Sequence, residues 1–84
     1  MGLRIEEAFF LQASRTPEGW ALADPGGRLS YRDLAHQVKR RAEELRSLGA
    51  RRGQVFALLG ENGIGWLREA LAVLACGGIL MPLH

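Results

Sequence analysis

The sequence is short of the residues on which most small-protein chemistry depends. It has one cysteine, Cys76, and two histidines, His36 and His84. A single thiol excludes an intramolecular disulfide framework and a multi-cysteine zinc site, and it fits a reducing compartment. Two histidines and one cysteine are also a poor set of metal ligands. Charge of one sign is scarce: eleven basic against nine acidic residues give a formal net charge of +2, too small an excess to argue for nucleic acid without a clustered patch. The most apolar stretch, Trp66 to Leu83, is broken by Arg68, Glu69, Gly77, Gly78 and Pro82, so it cannot supply the roughly 20 apolar residues of a membrane span. The first ten residues include Glu6 and Glu7 and have neither a basic leader nor an apolar run with a small-residue cleavage site, which predicts no signal peptide. Internal repeats, low-complexity tracts and linkers are missing too. These absences lead to the expectation of a soluble, cytoplasmic protein with no nucleic-acid or membrane partner.

What is present is ordinary globular composition, 48% hydrophobic and 24% charged over 84 residues, well away from the signature of disorder. A chain of this length buries only about 60% of its unfolded surface, so residues 1–84 are expected to form one modest core, a single partial domain. Ile5, Ala8, Phe9 and Leu11, with Glu6 and Glu7 in the first turn, predict a short helix over Leu3 to Ala13 that stops before Thr16 and Pro17. Trp20 to Ala23, the turn Asp24-Pro25-Gly26-Gly27, and Arg28 to Ser30 predict a small hairpin, because proline suits the second turn position and glycine the third.

Ser30 followed by Asp33 resembles a capping box and opens the best helix of the chain. Its stripe is Tyr31, Leu34, Ala35, Val38, Ala42, Leu45 and Leu48, closed by Gly49. The run Val55 to Leu59 is apolar without alternation, as expected of a strand covered on both faces. The turn Gly60 to Gly65, with Asn62 as N-cap, leads to a helix over Ile64 to Cys76 with Leu67, Ala70, Leu71 and Leu74 as its stripe. Gly77 and Gly78 end it, and Ile79 to Leu83 reads as a second buried strand. The fold class is therefore α/β: a partial Rossmann-like layer with a small β-hairpin and a βαβ unit of parallel strands, flanked by two or three helices.

Three phrases, in order, resemble the AMP-forming adenylating enzymes, the family of acyl-CoA synthetases and of the adenylation domains of peptide synthetases. Thr16-Pro17-Glu18, followed by Ala21, Leu22 and Asp24, resembles the family's opening phrase. Leu29, Ser30, Tyr31, Arg32, Asp33, Leu34 resembles its first core motif, with Asp33 in place of Glu. Leu74 to Leu83, with Gly77, Gly78 and Pro82, resembles its second, and Arg52 to Asn62 fits the segment between them.

The resemblance implies an acyl-CoA synthetase-like ligase that joins a carboxylic acid to ATP as an acyl-adenylate and passes the acyl group to a thiol. ATP, Mg2+ and coenzyme A are implied for the full-length family, and none for this chain alone. The family's phosphate loop, aromatic-Gly-x-Thr-Glu motif, ribose-binding Asp and catalytic Lys have no counterpart in these 84 residues. No catalytic, cofactor-binding or metal residue is therefore assigned, and the core-motif residues are read as structural. The expectation is an N-terminal fragment, inactive alone, in a fatty-acid-type ligase. The alternative is a stand-alone interaction or regulatory module that reuses the fold.

Other features take bland readings. Gly60, Gly63 and Gly65 match neither a Walker loop nor the dinucleotide fingerprint and read as turn geometry rather than a phosphate cradle. Lys39, Arg40, Arg41, Arg46, Arg51 and Arg52, interleaved with Glu43 and Glu44, read as a solvated helix face. Cys76, at the end of a helix, reads as a packed inert thiol. His36 and His84 read as surface residues, and Trp20, Trp66, Phe9, Phe10, Phe56 and Tyr31 as core. Buried parallel strands need cover on both faces, so the expected partner is either the missing catalytic remainder or a second copy. A two-fold dimer is the simplest closed solution.

Overall fold

In the computed structural model, which describes residues 2–60 and 63–83, the elements run α1 (Ile5–Arg15), β1 (Trp20–Asp24), β2 (Gly27–Ser30), α2 (Tyr31–Ser47), β3 (Val55–Leu59), α3 (Ile64–Ala75) and β4 (Ile79–Leu83). The expected α/β class holds, with three helices, one antiparallel hairpin and one parallel pair. β1 and β2 pair from Trp20 opposite Ser30 to Asp24 opposite Gly27, with an irregularity between Trp20 and Leu22. β3 and β4 pair in parallel, Val55 beside Ile79 through Leu59 beside Leu83.

The core lies between α2 and α3. Leu34, Val38 and Ala42 of α2 meet Leu71, Ala72 and Cys76 of α3 and its cap, with Phe9 and Phe10 of α1 packed against them. Leu34 and Val38 have no exposed surface, and Ala42 and Ala72 have almost none. The alanines let the two helices approach closely, and the leucines and valine fill the space between them. Polar ties rim this contact: Arg68 Nη1 donates to Gln37 Oε1 at 2.7 Å and Arg46 Nη2 to the Ala75 carbonyl at 2.9 Å. Arg41 Nε stands 2.8 Å from Glu69 Oε1, although its N–H is not directed along a hydrogen bond, so this contact is ionic. Glu69 first, then Glu44, hold the Arg41 guanidinium above its ordinary pKa. The partners advance together along both helices, so α2 and α3 run in the same direction.

Both helix ends expected from glycine are Schellman closures. At α2, Gly49 (φ 101°) donates to the Arg46 carbonyl and Ala50 to that of Leu45. At α3, Gly77 (φ 85°) donates to Leu74 and Gly78 to Val73.

Three expectations are corrected. Trp20 is not core: it is 57% exposed, with the Arg28 guanidinium 4.1 Å above its ring, a cation–π contact that covers a surface aromatic. Ile5, Leu11 and Leu48 are also exposed, and α1 turns Phe9, Phe10 and Ala13 inward instead. The parallel pair is covered on one face only. Phe56, Leu58 and Leu80 are half-buried, while Val55, Leu59, Ile79 and Met81 are exposed. The non-alternating run identified the strand correctly, but the described residues supply only one covering layer. No helix among them is long and apolar enough to cross a membrane.

Candidate functional site

Helix α2 begins with three backbone N–H groups that no turn of its own can satisfy. Tyr31 N–H donates to the Gly19 carbonyl at 2.8 Å, Arg32 N–H to the Pro17 carbonyl at 3.0 Å, and Asp33 N–H to Ser30 Oγ at 3.1 Å. The segment Thr16–Gly19 and the segment Ser30–Leu34 are thus two halves of one joint. Pro17, which ends α1, and the extended Ser30 (φ −71°, ψ 161°) bring the halves together. Arg32 Nη1 adds an exposed 2.6 Å ion pair to Glu18, a small contribution in water. Asp33 makes only half of the expected capping box, since Ser30 caps Asp33 and the Asp33 carboxylate lies 3.9 Å from Arg32 Nε.

The second joint is at α3. Asp24, last residue of β1, turns Oδ1 to the Gly26 amide at 2.8 Å and Oδ2 to the Ile64 amide at 3.1 Å. One carboxylate therefore fixes the hairpin turn and caps a helix forty residues later. An acceptor at this helix end also complements the macrodipole. The Asn62 cap expected from sequence lies outside the described residues. The N-cap itself is Gly63, whose missing Cβ would stand 3.3 Å from Asp24 Oδ2.

A phosphate approaching this turn would meet a carboxylate already bound to the Ile64 amide, which supports turn geometry as the role of Gly60 and Gly63, whereas Gly65 lies inside the first turn of α3. Asp24→Ala is expected to lower stability by about 1 kcal/mol and Tm by roughly 4–8 °C. Asp24→Asn, which keeps an acceptor, should recover most of that loss. Thermal unfolding followed by circular dichroism checks both.

The core-motif residues divide by task. Leu29 is half-buried against the core, Ser30 is the buried cap, Tyr31 places its ring 6.1 Å from Phe9, Asp33 is exposed, and Leu34 is fully buried. Gly77 and Gly78 close α3, and Pro82 lies in β4 beside Leu58. Leu34 and Cys76 belong to one cluster, so the two motifs meet through the core.

Cys76 is buried, with Sγ 3.2 Å from the Val73 carbonyl. His36 is exposed, and His84 lies outside the described residues. The basic residues are partly engaged: Arg41 with Glu44 and Glu69, Arg46 with Ala75, and Lys39 over the Phe10 ring at 5.4 Å. Among the described residues no three His, Cys, Asp or Glu side chains group to hold a metal ion. The described residues thus offer no ligand set that fits Mg2+.

Two capped joints around one helix pair, beside a parallel strand pair with a bare face, make up a small α/β layer. The chain belongs to the AMP-binding enzyme family, whose pattern matches residues 9–84. It is 37% identical over 79 residues to surfactin synthase subunit 1 of Bacillus subtilis, covering 94% of this chain and 2% of that protein. Phenyloxazoline synthase MbtB of Mycobacterium tuberculosis is 34% identical over 79 residues, at 94% and 6% coverage. Among solved structures, the nonribosomal peptide synthetase FmoA3 superposes with a TM-score of 0.90 at 34% identity, over 96% of this chain and 9% of that one. The N-terminal subdomain of Klebsiella oxytoca NpsA shares the fold, with a TM-score of 0.89 at 24% identity over 94% and 21%. The chain thus spans a small fraction of the length of the relatives it matches.

Proposed function

We propose that the chain is the opening scaffold of an adenylation domain of the peptide-synthetase kind rather than of an acyl-CoA synthetase. The observation that carries this reading is the match of residues 9–84 to the AMP-binding enzyme family, joined to relatives that include a nonribosomal peptide synthetase at 34% identity. The substrate class that follows is an amino or aryl acid. Its carboxylate oxygen attacks the α-phosphorus of ATP, forming the acyl-adenylate and releasing pyrophosphate. A thiol then takes the acyl group and AMP leaves.

The described residues take no part in bond-making on this reading. Adenylyl transfer needs donors held around the triphosphate as charge develops, and the amide that follows the glycine turn is committed to Asp24. The role of the chain is to set α2, α3 and the β3–β4 pair as a rigid base on which further strands assemble.

The test is ATP–pyrophosphate exchange with panels of amino, aryl and fatty acids. The 84-residue chain alone should give no acid-dependent exchange. The same chain continuous with a segment that carries the phosphate loop and catalytic lysine should exchange with amino or aryl acids. Exchange by the isolated chain would overturn the scaffold role, and exchange confined to fatty acids would return the chain to the acyl-CoA synthetases.

A further inference from the structure

We draw no further inference here: the strongest candidate, the groove between α1 and α2 lined by Phe10, Ala13, Arg32, His36 and Lys39, carries nothing, because Glu18 and Asp33 already answer the charge of Arg32, Lys39 lies over the Phe10 ring, and nothing in the structure shows what covers it.

Discussion

Leu34→Ala is expected to remove a third or more of the stability of the chain. Leu34 is fully buried and sits in the cluster that joins α2 to α3. Deleting a leucine side chain at such a site costs about 2–5 kcal/mol, the upper part of the range applying where the surroundings cannot collapse. Collapse is restricted here. The neighbouring Ala42 and Ala72 already bring the helices close, and Gln37–Arg68, Arg41–Glu69 and Arg46–Ala75 hold their spacing along the rim. A domain of this size has a total stability of roughly 4–12 kcal/mol, so the loss is a third or more of it. Urea denaturation should show the midpoint falling steeply, and unfolding already under way in buffer is the extreme case. Leu34→Met, which keeps the volume, should cost less than about 1.5 kcal/mol. If the alanine and methionine variants lost equally little, Leu34 would not be the keystone of the helix contact.

Much of this core was legible in the sequence. The three- and four-residue spacing from Tyr31 to Leu45 placed α2 and its buried side, because one helical face must hide apolar groups. The turn at Pro25-Gly26 was legible from local dihedral preference, and the parallel pair from a run too apolar for a one-sided strand. The same run misled on cover. Sequence reports that Val55 and Leu59 are apolar, whereas among the described residues nothing covers them. Trp20 read as core because an indole is large and apolar, and only the folded hairpin puts Arg28 over its ring.

The candidate site was legible as motifs and illegible as mechanics. Nothing local to Asp24 announces that its carboxylate reaches the Ile64 amide, since a cap from forty residues away leaves no spacing signal. The Thr16-Pro17-Glu18 and Leu29–Leu34 phrases stood out separately. Their union through Pro17, Gly19 and Ser30 is a matter of which carbonyl faces which orphan amide. Family membership followed from the phrases, but the choice between peptide-synthetase and acyl-CoA synthetase kinds rests on the relatives, because scaffold residues do not touch the acid.

Gly77 and Gly78 look alike in sequence, yet substitution should separate them. Gly77 has φ 85° and a would-be Cβ 3.1 Å from Arg52 Cγ, a flexible side chain on an exposed residue that can yield. Gly77→Ala therefore incurs chiefly the left-handed backbone cost, about 1–2 kcal/mol. Gly78 has no positive φ. Its would-be Cβ stands 2.8 and 2.9 Å from the Phe56 ring and 3.0 Å from Val73 Cγ1. Neither neighbour can retreat freely: Phe56 is half-buried under α3, and Val73 is buried within that helix. Gly78→Ala must push β4 and α3 apart at the start of the parallel pair, an overpacking cost of about 1–3 kcal/mol. Trimming the ring in Gly78→Ala/Phe56→Leu should recover part of that loss, whereas Phe56→Leu in the Gly77→Ala background should recover none. Chemical denaturation of these four variants and of Phe56→Leu alone measures the coupling. Equal coupling in both backgrounds would show that the second glycine, like the first, is held by its dihedral angles rather than by the ring against it.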